Sequence, residues 1–79
     1  MIKIYNKAYL EAFGKNLKRL RESKNLSQRE LEDIAKISFS QIGRIERGEQ
    51  NATISTLYAL AKALEVSPAK LLTFDFKEK

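Results

Sequence analysis

The 79-residue chain has no cysteine and no histidine, and these two absences exclude several kinds of chemistry. Without cysteine there are no disulfides, no thiolate nucleophiles and no cysteine-based zinc sites. Without histidine, the commonest general base and most transition-metal ligand sets are missing as well. No run approaches the about 18 apolar residues of a membrane span. We therefore expect a protein that is not an enzyme, needs no metal or cofactor, and works in a reducing cytoplasm rather than in a membrane.

Helix breakers are also scarce, since the chain has one proline and three glycines. This scarcity predicts an all-α fold. The length fits one domain spanning residues 1–79, with a core of about residues 7–72 and short tails at 1–6 and 73–79. Apolar residues alternate at both ends of the chain: Ile2 and Ile4, then Leu72, Phe74 and Phe76. This pattern indicates either frayed termini or extended chain that packs on the domain or on a second copy.

Helical spacing and capping residues predict five helices. Their expected ranges are about Lys7 to Lys24, Ser27 to Lys36, Ser38 to Arg47, Thr53 to Leu64 and Pro68 to Leu72. A capping box joins Ser27 and Glu30, while Asn25 and Gly48 suit helix ends. The inward faces of the second, third and fourth helices should include Leu31, Ile34, Ala35, Ile42, Ile45, Ile54, Leu57, Ala61 and Leu64.

The second and third helices are short and are separated by about three residues, as in a helix-turn-helix. The major groove of DNA, about 12 Å wide, admits one helix that shows small or polar side chains outward. Ser40, Gln41 and Arg44 supply such side chains on the third helix. The net charge of +5 also favours a polyanionic partner. The sequence therefore predicts binding to double-stranded DNA.

The stretch LSQRELEDIAKISFSQIGRIERGEQNATISTLYALAKALEVSPAKLL resembles the Cro/repressor-type helix-turn-helix family, also called the XRE family. The resemblance covers about Leu17 to Leu72. It rests on Ser27-Gln28, on the run Ile45 to Gly48, and on Leu57 to Leu64 followed by Val66. It implies a compact five-helix, repressor-like domain that binds a near-palindromic operator as a dimer. It also implies a transcriptional regulator in a bacterial or phage-type cytoplasm, at the nucleoid.

The resemblance assigns roles to individual residues. Four residues match base-reading positions on the recognition helix: Phe39, Ser40, Gln41 and Arg44. Arg44 suits guanine, Gln41 suits adenine or guanine, and the ring of Phe39 suits a thymine methyl group. Further residues match contacts to DNA phosphates or are candidates for them: Gln28, Arg47, Asn51, Thr53, Lys36, Arg29 and Lys24.

The family also joins two positions, here Arg21 and Glu46, in a salt bridge between the first helix and the recognition helix. The rival assignment gives Arg21 a direct phosphate contact. The chain departs from the family pattern at Lys36, where the turn usually has glycine, and at Glu32, where alanine is usual. Glu32 either points outward or bonds nearby backbone or a cation. Gly43, expected to face outward, is either tolerated at an exposed site or allows close approach to DNA.

A dimer would place two recognition helices about 34 Å apart. Apolar residues late in the chain are the candidate dimer surface: Tyr58, Leu71, Leu72, Phe74 and Phe76. A restriction-modification controller or an antitoxin-type autoregulator would have the same fold. A protein-interaction domain that does not read DNA is the alternative from another class. A small enzyme is disfavoured, because no spacing pairs a nucleophile with a base.

Overall fold

Five α-helices make up the computed structural model, which describes residues 5–77. Their bounds are Lys7–Ser23 (α1), Gln28–Ala35 (α2), Phe39–Glu46 (α3), Ile54–Leu64 (α4) and Pro68–Leu71 (α5). No strand occurs within these described residues. The all-α expectation is confirmed, and each predicted helix is present to within a residue or two. The expectation for Ile2 and Ile4 falls outside the described residues.

Each helix begins at a polar residue whose side-chain oxygen accepts a backbone N–H three residues on: Asn6, Ser27, Ser38, Thr53 and Ser67. Such caps satisfy amides that have no acceptor within the helix, each stabilising by about 1 kcal/mol. In the capping box of α2, Ser27 Oγ accepts from the Glu30 amide, and Glu30 Oε1 accepts from the Ser27 amide at 2.8 Å. The capping box predicted for Ser27 and Glu30 is therefore confirmed.

Left-handed residues turn the chain after several helices. Asn25 and Gly48 take this conformation, with φ of 59° and 76°, as expected. Lys36 also takes it, with φ of 61°, so the turn of the helix-turn-helix keeps the shape that glycine usually provides. A side chain at positive φ costs about 1 kcal/mol or more, so this turn is strained.

One apolar core lies between the helices. Its buried members are Phe13, Leu17, Leu20, Leu31, Ile42, Ile45, Leu60, Ala61, Leu64 and Leu71. α3 packs between α1 and α2, while α4 packs against α2 and α5. The core therefore braces α3 from behind.

Two isoleucines predicted to face the core are exposed instead. Ile34 is 52% exposed, because the eight-residue α2 buries its inner side through Leu31, and Ile34 lies at the surface beside Tyr58. Ile54 is 84% exposed, because it begins α4 before that helix reaches the core. Leu60, which the predicted stripe omitted, is fully buried in its place.

The proposed dimer surface also needs correction at Leu71. Its side chain is fully buried, since the short α5 packs on α1 and α4 and needs an apolar residue on its inner side. It therefore belongs to the core and not to a surface.

The segment after α5 folds back onto the first turn of α1. The rings of Phe74 and Phe76 contact Tyr9, with ring centroids 5.2 and 5.0 Å apart. Phe74 and Phe76 are half-buried, so much of their predicted dimer surface is used within the chain. Of the expectations for this tail, packing on the domain is what the structure shows.

Candidate nucleic-acid interface

The outer edge of α3 is open to solvent. Its inner side is fixed by the buried Ile42 and Ile45, whereas Phe39, Ser40 and Arg44 are exposed. Gln41, the fourth predicted base-reading residue, is half-buried. No chain segment in the described residues covers this edge, and the tail packs on α1 instead. The geometry therefore presents one short helix with polar and aromatic side chains outward.

A buried ion pair holds the C-terminal end of α3 to α1. Arg21 Nε lies 2.7 Å from Glu46 Oε2, and Arg21 Nη2 lies 3.0 Å from Glu46 Oε1. Arg21 Nη1 donates to the Leu26 carbonyl at 2.7 Å. The hydrogen bond that Arg21 donates to the Glu46 carboxylate raises the pKa of Arg21 above its ordinary value. Of the two roles predicted for Arg21, the salt bridge is the one found, and the residue is buried between α1 and α3.

Gln28 extends this ion pair to α2. Its side-chain Nε2 donates to Glu46 Oε1 at 2.9 Å. The side chain expected to contact phosphate therefore also ties the start of α2 to the end of α3. The backbone N–H of Gln28 lies in the first turn of α2, where helix amides lack an intrahelical acceptor and can meet an anion.

Gly14 permits the close approach of α1 to α3. A Cβ atom there would overlap the backbone carbonyl oxygens of Ile45 and Glu46. Gly14 was not among the predicted residues, yet it helps to place the end of α3. Its signal in the sequence is a glycine inside an amphipathic helix, which costs about 1 kcal/mol relative to alanine and so asks for a packing reason.

Side chains of α2 hold the N-terminal end of α3. Glu32 Oε2 accepts a hydrogen bond from the Phe39 backbone amide at 3.2 Å. The Arg29 guanidinium carbon lies 4.1 Å from the centroid of the Phe39 ring, in a cation–π contact. Of the alternatives for Glu32, bonding to the backbone is the one observed. Arg29, predicted as a phosphate contact, is thus next to a predicted base-reading residue.

Gly43 is buried, although it was predicted to be at the surface. The side chains of Arg47 and Gln28 lie across it. A Cβ atom at Gly43 would lie 3.1 Å from Arg47 Nη1 and 3.7 Å from the Gln28 amide. The missing side chain therefore lets two predicted phosphate-binding residues lie side by side at the α2–α3 junction.

The remaining candidates lie around the end of α3 and the loop that follows it. Arg47 Nε pairs with Glu49 Oε2 at 3.0 Å, and both side chains are more than half exposed. Arg44 Nε donates to Gln50 Oε1 at 3.3 Å. Asn51 is exposed, and Thr53 caps α4 through the Thr56 amide. Lys36 is exposed on the turn between α2 and α3.

Residues 5–77 contain neither a cluster of metal-binding side chains nor a helix that could span a membrane. Within that range no three His, Cys, Asp or Glu residues are close enough to hold a metal ion. None of its helices combines the length and apolarity that crossing a bilayer requires.

The stretch that contains the helix-turn-helix is similar to known proteins. A family model described as "Helix-turn-helix" matches residues 17–71. The control protein C.SmaI of Serratia marcescens is 46% identical over 63 residues, which are 80% of this chain and 75% of that protein.

Solved structures agree with this similarity. The restriction-modification controller protein C.AhdI from Aeromonas hydrophila superposes with a TM-score of 0.77 at 37% identity, covering 78% of this chain and 94% of its own. The controller protein C.Esp1396I, solved as a tetramer with its natural 35-base-pair operator, gives a TM-score of 0.77 at 28% identity. That match covers 85% of this chain and 88% of C.Esp1396I.

Proposed function

Because this chain belongs to the helix-turn-helix family, whose model matches residues 17–71, we propose that it is a sequence-specific DNA-binding transcriptional regulator. The observation that carries the proposal is the exposed edge of α3, standing on a core and an ion pair that fix its angle. Binding to duplex DNA would place the protein at the nucleoid, in the cytoplasm. The proposal includes no catalytic step and no cofactor.

In this proposal α3 enters the major groove. Arg44 donates two hydrogen bonds to a guanine, while Ser40 and Gln41 contact neighbouring base edges. The hydrogen bond from Arg44 Nε to Gln50 Oε1, at 3.3 Å, is long and solvent-exposed, so the Arg44 guanidinium can exchange Gln50 for a base. The tighter contacts, at Arg21 and Glu46, are left undisturbed.

Phosphate contacts surround this base-reading edge. Arg47 and Gln28, side by side over Gly43, meet one strand together with the first amides of α2. Lys36 and Arg29 lie at the other end of α3, and Asn51 and Thr53 lie before α4. The exposed pair of Arg47 with Glu49 contributes little to stability, so a phosphate can replace the carboxylate.

We further propose that the protein binds as a homodimer, because one inserted helix reads only a few base pairs. Of the predicted dimer surface, Tyr58 and Leu72 are exposed. The exposed Ile54 lies four residues before Tyr58, so the two share one face of α4. Ile54 therefore replaces Leu71 in the proposed dimer surface.

The deciding experiment is selection of bound duplexes from a random DNA pool at physiological salt. We expect a near-palindromic consensus. A protein-interaction domain of the same fold would select no sequence and show no salt-sensitive DNA binding. An antitoxin-type autoregulator would give the same consensus but would also co-purify with a second protein.

Substitution of Arg44 and Arg47 separates base reading from phosphate binding. Arg44→Ala should lose about 1–3 kcal/mol of binding free energy and relax the preference at one base position. Arg47→Ala should weaken binding to all sequences alike and lower the salt dependence. If Arg44→Ala selects the same consensus as the unaltered protein, Arg44 does not read a base.

A further inference from the structure

Phe39 is held both at its backbone and at its ring. The Phe39 backbone amide donates to Glu32 Oε2 at 3.2 Å, which fixes the backbone at this residue. The Arg29 guanidinium lies over the ring at 4.1 Å from the centroid, which fixes the plane of the ring. An exposed phenylalanine without such contacts would lose its rotamer freedom only on binding, which costs binding free energy. In this protein the contact with Arg29 already restricts the Phe39 ring before DNA binds.

The position of the ring limits what it can contact. Phe39 is the first residue of α3 and remains 36% exposed, at the end of the helix proposed to enter the groove. The guanidinium occupies one face, so an incoming group meets the other face or the ring edge. The major groove offers one apolar group to such a surface, the methyl group at C5 of a pyrimidine.

We infer that Arg29 is a positioning residue, which holds Phe39 so that its ring packs on the 5-methyl group of a pyrimidine in the DNA site. The inference rests on the proposed function and adds to it the role of Arg29, which acts through Phe39. The same methyl group is present in thymine and in 5-methylcytosine. Both bases therefore fit the contact, whereas uracil and cytosine lack the methyl group.

A phosphate contact by Arg29 is compatible with this role. The guanidinium is planar, so it can stack with one face while its edge N–H groups reach an anion. Lysine keeps the positive charge but has no planar group to lie flat on the ring. The Arg29→Lys variant therefore separates the positioning role from the charge.

The test uses the duplex obtained by selection and replaces each thymine of one half-site, in turn, with deoxyuracil. For the unaltered protein, removal of one buried methyl group should weaken binding about fourfold at one position. Phe39→Ala should abolish that difference. Arg29→Lys should reduce it to less than about twofold while leaving affinity for unrelated duplex nearly unchanged. Replacing that thymine's base pair by a cytosine pair and then methylating the cytosine at C5 should restore affinity by a similar factor.

Lys24→Gln is the matched control, because it removes an exposed positive charge that is not in contact with Phe39. It should lower affinity for all duplexes while keeping the full methyl dependence. Thermal unfolding should change only slightly in the Arg29 and Phe39 variants, since both residues lie at the surface and only one exposed cation–π contact is lost.

Two results overturn the inference while leaving the proposed function intact. One is a selected consensus whose thymines can all be replaced by deoxyuracil without loss of affinity. The other is an Arg29→Lys variant with undiminished methyl dependence. Absence of any selected sequence would instead remove the proposed function, and this inference with it.

Discussion

The two ends of α3 are held in different ways. At the C-terminal end, Ile45 and Glu46 are buried, the carboxylate is bonded to Arg21 and Gln28, and Gly14 of α1 lies against the backbone. The N-terminal end is at the surface. There the helix is held by the Ser38 cap, by the Glu32 carboxylate and by the Arg29 guanidinium, all at exposed or half-buried positions.

This difference separates positioning from recognition. The buried end sets the direction of the helix, because moving it would break an ion pair or overlap backbone atoms. The exposed end carries Phe39 and Ser40, which can be exchanged without disturbing the core. Substitutions at the buried end should therefore lower stability and binding together. Those at the exposed end should alter binding alone.

The largest effect is expected from breaking the buried ion pair. Glu46→Leu would leave the Arg21 guanidinium buried without its partner and should lower the free energy of unfolding by about 3–5 kcal/mol. Urea denaturation followed by circular dichroism measures this loss.

The double variant Arg21→Met with Glu46→Leu is the control for that experiment, since it removes both charges. It should recover most of the lost stability, because apolar residues of similar size often replace buried ion pairs without cost. If Glu46→Leu alone lowered the free energy of unfolding by less than about 1 kcal/mol, the ion pair would be weak and well screened and would not fix the position of α3.

The next largest effect is expected at the contact between α1 and α3. Gly14→Ala would push a methyl group into the carbonyl oxygens of Ile45 and Glu46, which belong to backbone and cannot rotate away. We expect a net loss of about 1–3 kcal/mol in unfolding free energy, although alanine favours a helix. Lys15→Ala, at the exposed neighbouring position, is the control and should change stability by less than about 0.5 kcal/mol. If Gly14→Ala were as stable as Lys15→Ala, α1 and α3 could move apart at this contact without loss of stability.

A smaller effect, of opposite sign in stability and binding, is expected at Gly43. Alanine should stabilise α3 by up to about 1 kcal/mol through its helix propensity. Its methyl group would displace the end of the Arg47 side chain, which is flexible enough to move. Affinity for all duplexes should therefore fall, by less than in Arg47→Ala, as fluorescence anisotropy would measure. In the Arg47→Ala background, Gly43→Ala should have no further effect on affinity. A further loss there would mean that Gly43 itself lies against DNA.

The smallest effect concerns the capping box at the start of α2. The pKa of Glu30 lies below its ordinary value, because its carboxylate accepts hydrogen bonds from the backbone amide and hydroxyl of Ser27. A lowered pKa in the folded state means that the contribution is complete above the ordinary carboxyl range and is lost as the pH falls through the lowered pKa. Glu30→Gln should remove this part of the pH dependence of thermal unfolding. Asp33→Asn, on the same helix, controls for the change of net charge and should retain it.

Local patterns predicted the helices well, because their signals act within a few residues. Ser27 with Glu30, Ser38 and Thr53 cap their own helices, and the left-handed residues Asn25 and Gly48 end theirs. These interactions need no partner from elsewhere in the chain. The Arg21–Glu46 pair was also predicted, although only through the family resemblance, and the structure confirms it.

Predictions failed where burial depends on which helix packs against which. Ile34 and Ile54 have the right spacing for a core face, yet both are exposed, because neighbouring helices do not reach them. Leu71 and Gly43 were placed outside and lie inside. Spacing along one helix gives the direction of a side chain and leaves open whether another element covers it.

The sequence by itself determined five capped helices, a helix-turn-helix, and the set of polar residues along α3. Those features follow from hydrogen bonds and periodicity over short distances. Only the tertiary structure decided that Gln28 joins the buried ion pair, that Arg29 lies over Phe39, and that Glu32 bonds the start of α3. Each of these contacts joins side chains from different helices, and their positions are fixed only when the helices pack around a common core.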